Sequence, residues 1–275
     1  MVTAEFARRV VVKVGSSNLT YSNGKLNIYR IERLVRTVSD LKNRGYEMIL
    51  VSSGAVAVGT AKLGLAERPK DLAMKQAAAA VGQCELMHIY DKMFLEYGVI
   101  VSQILLTREN ITDEDQRRNV HNTFTALLAA GAVPIVNEND SVATAELLHL
   151  DTFGDNDTLA ANVAQLCEAN LLVLFSDIDG LYDSDPRLDP GARLIPEVRE
   201  ITDEIRQMAG GTGSMHGTGG MATKLAAAQL CMDSGIPMVI ANGDQHGLLY
   251  DIIDGKQAGT RFLPGHRNLK GGNPS

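Results

Sequence analysis

Val10-Val11-Val12-Lys13-Val14, running directly into Gly15-Ser16-Ser17, is the stretch from which the fold can be read. Four valines around one lysine are rich in β-branched side chains and show no apolar–polar alternation. Such a run reads as a strand buried on both faces, the kind found in parallel sheets covered by helices. Runs of the same character recur at Met48–Val51, Val99–Leu106, Ala132–Val136, Leu171–Phe175 and Met238–Ile240. Helical patterns fill the gaps. Ile31, Leu34, Val35, Val38 and Leu41 form one helical stripe that Gly45 can end. Leu72–Tyr97 is alanine-rich and several turns long, and Thr123–Ala130, Leu159–Leu166 and Lys224–Asp233 also read as helices. The alternation predicts an α/β fold, a three-layer αβα sandwich with a mainly parallel central sheet.

Composition narrows the function. The 275 residues carry 26 Lys plus Arg against 33 Asp plus Glu, a formal charge of −7. That acidic balance argues against a nucleic-acid surface, which needs a clustered basic excess. Arg8-Arg9 and Arg117-Arg118 are pairs, not a stripe. Cys84, Cys167 and Cys231 are odd in number and far apart, and show no metal-ligand spacing with the histidines. No metal site is expected from them; they read as buried thiols in a reducing compartment. No apolar run approaches a membrane span and no signal-peptide core is present, so a cytoplasmic enzyme is expected. Tyr182–Glu200, with three prolines, reads as a turn-rich excursion or hairpin, and Gly210–Gly220 as a loop. No internal repeat is visible, so one unit of two lobes sharing a sheet is the simplest organisation.

Five stretches can carry chemistry. Lys13 near the end of its strand, followed by Gly15-Ser16-Ser17, suits an anion at the carboxyl edge of the sheet; a lysine snorkelling from an edge strand is the alternative. Val51-Ser52-Ser53-Gly54-Ala55-Val56 repeats the pattern of strand then small residues, and serves equally as a ligand-facing turn or a plain connection. Gly217-Thr218-Gly219-Gly220-Met221-Ala222-Thr223-Lys224 opens into a helix and can cradle phosphate, with Lys224 as a mobile cation. It is not a Walker A loop.

Asn137-Glu138-Asn139-Asp140 and Gly154-Asp155-Asn156-Asp157 combine carboxylates and amides that can bind an ammonium group, orient lysines or hold Mg²⁺ through water. Helix capping accounts for part of the second cluster. Ser176-Asp177-Ile178-Asp179-Gly180-Leu181-Tyr182 follows a strand and can line a nucleotide pocket or form a turn. No nucleophile elbow is present, and the histidines stand alone.

In order along the chain, VVKVGSS, VSSGAVAVG, NENDSVAT, GDND, SDIDGLY and GTGGMATK resemble the amino acid kinase family, and within it the branch that phosphorylates the side-chain carboxylate of L-glutamate on the way to proline. Branches acting on acetylglutamate or aspartate are similar in the first lysine and the sheet only. The resemblance implies a kinase domain over residues 1–260, with an acceptor-binding lobe of about 1–168 and a nucleotide-binding lobe of about 169–260. Residues 261–275 would be a flexible tail, with no room for the C-terminal PUA domain that many members of that branch carry.

The resemblance also implies roles. Lys13 and Lys224 would flank the transferring phosphoryl group, and Asp155 would hold both lysines. Ser53, Gly54, Asp140, Asn156 and Asp157 would bind glutamate, with Asp140 on its α-ammonium group. ATP, with Mg²⁺, would lie against Lys13, Ser176, Asp177 and the loop Thr218, Gly219, Gly220, Met221, Ala222, Thr223 and Lys224. Proline feedback near the loop after Gly54 and a homo-oligomer (dimer or tetramer) are further implications, and residues 60–75, Pro69 among them, read as a mobile lid. A kinase with another acceptor, or a silent amino-acid sensor, are the competing readings.

Overall fold

A computed structural model describes residues 8–142, 156–209 and 220–265. In chain order its strands are β1 (Arg9–Val14), β2 (Glu47–Val51), β3 (Val101–Leu106), β4 (Val133–Glu138), β5 (Leu171–Ser176), β6 (Glu197–Val198), β7 (Met238–Asn242) and β8 (Thr260–Phe262). They form one sheet in the order β3-β4-β2-β1-β5-β7-β8-β6, every neighbouring pair parallel except β7 with β8. The helices are α1 (Ser16–Leu19), α2 (Ile28–Asn43), α3 (Ala55–Lys62), α4 (Leu72–Leu95), α5 (Arg108–Thr112), α6 (Glu114–Ala129), α7 (Asn156–Leu166), α8 (Asp203–Ala209), α9 (Met221–Asp233) and α10 (Leu248–Ile253).

The continuous valines of β1 have two cores to fill. Val10, Val12 and Val14 pack with the α2 stripe, Tyr90 and Phe94 of α4, and Ile252 of α10. Val11 points the other way, into a core with Phe124 of α6, Val163 of α7 and Ala228 of α9. Side chains alternate across a strand, so a strand covered twice must be apolar at every position. Each fully buried valine contributes roughly 1.5–3 kcal/mol relative to exposure. The stripe on α2 is buried at the positions its spacing foretold, and Gly45 follows the helix at φ 99°.

The sheet order sets the site. The chain lays β2, β3 and β4 on one side of β1 and returns with β5 on the other, so β1 and β5 are neighbours at a topological switch point. In open α/β sheets ligands gather in the crevice at the carboxyl ends of such strands. Register places Lys13 beside Val51 of β2 and Leu174 of β5, one residue short of that edge.

Some expectations need correction. Val99–Leu106 was expected to be buried on both faces, but β3 is the edge strand with β4 as its one neighbour, and Gln103 is exposed. Strands β6 and β8 are two and three residues long, too short to show a period. Within the expected excursion, Tyr182 bridges Leu194 antiparallel, and the segment ends in β6. Of the three thiols Cys84 is exposed, on the outer side of α4, while Cys167 and Cys231 are buried and pushed up to about 12 by burial. The 210–219 loop and the tail beyond residue 265 lie outside the described residues.

Candidate active site

A cleft of about 670 Å³ opens at the carboxyl edge of the sheet, lined by Lys13, Ser53, Asp140, Asn156, Ser176 and Lys224 among others. Its charged centre comes from three elements. Lys13 is the penultimate residue of β1, Asp157 is the second residue of α7, and Lys224 lies in the first turns of α9. All three are buried, Asp157 completely. One carboxylate oxygen of Asp157 pairs with the Lys13 ammonium, and the other stands 3.0 Å from Lys224 Nζ. The Thr223 hydroxyl donates to that second oxygen at 3.2 Å.

Burial alone would push the Asp157 carboxyl up. The two ammonium groups more than offset this and hold it below its usual range. Its place at the start of α7 adds the favourable end of the helix dipole. Two buried cations thus meet on one carboxylate at the wall of the cleft, and buried cations so placed are strongly attractive to a further anion.

The end of the cleft beside β2 and β4 is held by an amide relay. Asn156 Nδ2 reaches the Ser52 carbonyl at 2.9 Å, Ser53 Oγ at 2.5 Å and Asn137 Oδ1 at 3.2 Å. Asn137 in turn donates to Gln83 Oε1 of α4 at 2.9 Å. Behind it Ser52 Oγ meets the Tyr90 hydroxyl at 3.0 Å. The ends of β2 and β4 and the start of α7 are thereby fixed relative to one another. Gly54 turns the chain into α3 at φ 93°, a left-handed conformation that suits glycine.

Helices α3 and α4 touch through glycine. A β-carbon on Gly59 would overlap the Ala78 carbonyl, and one on Gly82 the Ala55 carbonyl. Glu138 and Asp140 line the same end of the cleft. Burial, with the charge of Asp140, raises Glu138 to about 7; burial also raises Asp140, against the pull of Arg68.

The other end of the cleft belongs to β5, β7 and α9. Ser176 Oγ donates to Asp177 Oδ1 at 3.1 Å, and the Ser176 carbonyl accepts the Gly243 N–H at 2.7 Å. Asp179 accepts from Asn242 Nδ2 at 2.8 Å and from the Tyr182 hydroxyl at 3.0 Å. Gly15, Ser16 and Ser17 line the cleft beside Lys13. Arg30 holds that loop, donating to the Ser17 carbonyl at 2.8 Å while pairing with Asp244 at 2.5 Å.

Ser53, Gly54, Asp140, Asn156, Ser176, Asp177, Gly220, Met221, Lys13 and Lys224 all line this one cleft. Ala222 is exposed and Thr223 turns toward Asp157, and neither lines it. Asp155, Thr218 and Gly219 lie outside the described residues. Among the described residues the carboxylate between the lysines is that of Asp157, which the sequence reading placed against glutamate. Fully buried behind them, it does not line the cleft. Residues 60–62 and 72–75 of the expected lid are helical, leaving 63–71 as the connection. Sequence reasoning passed over Gln83, Tyr90, Arg30 and Arg68. Gln83 had one faint signal, a polar residue on an otherwise apolar helix face.

A parallel sheet with a switch-point cleft and two lysines across one carboxylate defines a phosphate-handling α/β enzyme. The amino acid kinase family model matches residues 8–242, and the chain belongs to that family. A protein named glutamate 5-kinase in Clostridium perfringens is 52% identical over 94% of this chain and 96% of its own. The one in Clostridium acetobutylicum is 54% identical over 93% and 94%. Another from Carboxydothermus hydrogenoformans is 55% identical over 94% of this chain, which spans 68% of that longer relative. Among solved structures, UMP kinase from Ureaplasma parvum superposes with a TM-score of 0.62 at 16% identity, covering 93% of this chain and 98% of its own. Isopentenyl phosphate kinase from T. acidophilum gives 0.62 at 17%, covering 92% and 99%. These last two establish the shared fold. No helix among the described residues is long and apolar enough to cross a membrane.

Proposed function

We propose that this chain transfers the γ-phosphoryl group of ATP to the side-chain carboxylate of L-glutamate, giving L-glutamyl 5-phosphate, the first step toward proline. The observation that carries the reading is the Lys13–Asp157–Lys224 centre beside a cleft that holds acidic and amide groups at its acceptor end. Relatives of the name glutamate 5-kinase at 52% and 54% identity over nearly the whole chain support the choice of acceptor.

The chemistry fits the residues present. A glutamate side chain, with a pKa near ~4.3, is already an anionic nucleophile at neutral pH and needs no general base. One carboxylate oxygen attacks the γ-phosphorus, the bond to the bridging oxygen breaks, and ADP leaves with that electron pair. No proton moves. The obstacle is repulsion between two anions, and the two buried ammonium groups lower it where charge accumulates. Asp157 keeps them apart and aimed, while Ser53 and Asn156 position the acceptor. Gly15–Ser17 and the start of α9 face the phosphates.

Among the described residues no group of three or more His, Cys, Asp or Glu side chains could cage a metal. Mg²⁺ arriving with ATP would bind through one or two carboxylates plus substrate phosphates. Asp177, on the cleft wall, is one carboxylate that would hold it, and the ion would supply further charge neutralisation. Lobes of about 1–168 for the acceptor and 169–260 for the nucleotide, feedback by proline at the acceptor end, a homo-oligomeric enzyme and a cytoplasmic location belong to the same reading.

The test is ADP release with Mg-ATP and hydroxylamine, comparing L-glutamate, N-acetylglutamate, aspartate and no acceptor. Glutamate-dependent ADP with γ-glutamyl hydroxamate is expected. Turnover with another acceptor alone would overturn the substrate assignment. Glutamate binding without turnover would establish a sensor instead.

A further inference from the structure

We infer that Arg68 is a specificity-determining residue of the acceptor site, its guanidinium taking the α-carboxylate of the incoming amino acid while Asp140, with Glu138 beside it, takes the α-ammonium group. The inference rests on the reading that the acceptor is an α-amino acid with a side-chain carboxylate.

Three observations support it. Arg68, Glu138 and Asp140 line one cleft, together with Lys13 and Lys224. Apart from Asp177, Asp185 and Arg187 on the side of β5, the cleft therefore presents two cations for a reacting carboxylate and, separately, one cation and two anions. An α-amino acid with a second carboxylate has the complementary charges in the complementary grouping. Second, among the described residues none of the three acceptor-end groups has a hydrogen-bond or ion-pair partner for its charged atoms. Arg68 is nevertheless near enough for its charge to act on Asp140. A cation and an anion that attract without closing a pair leave a gap between them. The head group of an α-amino acid, with its two charges on one carbon, is the kind of ligand that closes such a gap on both sides.

Third, the placement of Arg68 is built into the helices on either side. It stands on the 63–71 connection between α3 and α4, and those helices are locked together where Gly59 meets Ala78 and Gly82 meets Ala55. The connection starts and ends on one rigid body, whose other end carries Gly54 and Ala55 into the cleft. Arginine suits the task better than lysine, since its planar fork grips a carboxylate through two parallel hydrogen bonds. Selectivity follows from what is left unpaired. An acceptor lacking the α-carboxylate leaves Arg68 unmatched, and one lacking the ammonium leaves two carboxylates facing each other. Arg68 is solvent-exposed, so the fold does not depend on it and its variants should fold.

The experiment compares wild type, Arg68→Ala and Arg68→Lys with L-glutamate and with 4-aminobutyrate, which keeps the reacting carboxylate and the ammonium but lacks the α-carboxylate. ADP release gives KM and kcat, and competition against glutamate gives the affinity of 4-aminobutyrate where turnover is slow. Arg68→Ala should raise KM for glutamate about 10- to 100-fold, the loss expected for one charged hydrogen-bonded contact. It should leave KM for Mg-ATP within about twofold and leave 4-aminobutyrate affinity unchanged, collapsing the preference for glutamate. Arg68→Lys should restore only part of it. An unchanged KM for glutamate, or equal losses on both acceptors, would overturn the assignment while wild-type turnover kept the proposed function standing. A wild type inactive on glutamate would overturn both.

Discussion

Gly243, in the turn after β7, lies against the side-chain amide of Asn18, in the short helix after β1, so closely that a β-carbon on it would overlap that amide. Asn18 is buried, and its amide reaches the Phe175 carbonyl at 3.4 Å. Gly243 is fixed to the next residue of β5 through Ser176. The loop beside Lys13 is therefore seated on the β5–β7 side of the sheet through the Asn18 side chain.

Gly243→Ala should drive Asn18 out of its seat and shift the Gly15–Ser17 loop. Overpacking of this kind costs roughly 1–3 kcal/mol. Thermal denaturation should show the lower Tm, and kinetics should show a raised KM for Mg-ATP with KM for glutamate nearly unchanged. Equal changes in both would locate the fault elsewhere.

Removing either lysine should separate folding from turnover. Lys224→Ala should lower kcat by about 100-fold or more while the protein remains folded by circular dichroism. Lys13→Ala should lower the rate and weaken Mg-ATP as well, because its ammonium stands beside the Gly15–Ser17 loop. A Lys224→Ala enzyme with wild-type kcat would refute the role given to that residue.

Asp157→Asn tests the centre from the other side. It leaves two buried ammonium groups without the carboxylate they share, a change that costs roughly 3–5 kcal/mol in other buried pairs. A triphosphate is the natural replacement anion. The rise in Tm on adding a non-hydrolysable ATP analogue should therefore be larger for Asp157→Asn than for wild type. A smaller rise would mean that Asp157 does not hold the lysines for the nucleotide.

His246 predicts a pH effect. It is buried against the edge of Phe175, with ring centroids 5.4 Å apart. Burial, together with the charges of Arg33 and Arg30 and against that of Asp244, lowers it from 6.5 to about 4. The unfolded chain then binds a proton that the folded chain refuses. The contribution is full above pH 6.5 and is lost as pH falls from 6.5 toward 4, by at most ~1.4 kcal/mol per pH unit. Urea titrations across that range should show a shallower decline for His246→Gln than for wild type. Parallel curves would remove His246 from the account.

The α3–α4 contact is testable with a single methyl group. Gly59→Ala should push the helices apart at Ala78 and lower stability by roughly 1–3 kcal/mol. The disturbance should raise KM for glutamate, since Gly54 and Ala55 lead directly into α3. A stable variant with normal kinetics would show that the two helices can separate freely.

Much of the fold was legible because β1, β2, β4, β5 and β7 are continuous apolar runs, and such runs have few other ways to be buried. The alternation with helices then fixed the class. Edge strand β3 misled for the same reason: Ile104 and Leu106 are buried, but polar Ser102 and Gln103 carried too little weight in the reading. In the site, Lys13 stood out as one charge in a row of valines. The place of Asp157 did not, because two aspartates around one asparagine look alike until helix phase is known. Helix α7 starts at Asn156, which turns that amide toward β2 and β4 and sends Asp157 inward to the lysines. Gln83 and Arg68 were invisible because their importance comes from what faces them across the fold.

The arrangement of β1 beside β5 also governs when the enzyme can first exist. Lys13 is made early, Asp157 midway and Lys224 late, and β1 keeps one side open until β5 arrives to pair with it. Contacts between distant segments form slowly. A nascent chain that has already laid down its first strands still lacks the complete set of opposing charges. The three-residue centre is therefore completed only when the last third of the chain has been made: a half-made product carries the first lysine, but neither the carboxylate that pairs with it nor the second lysine.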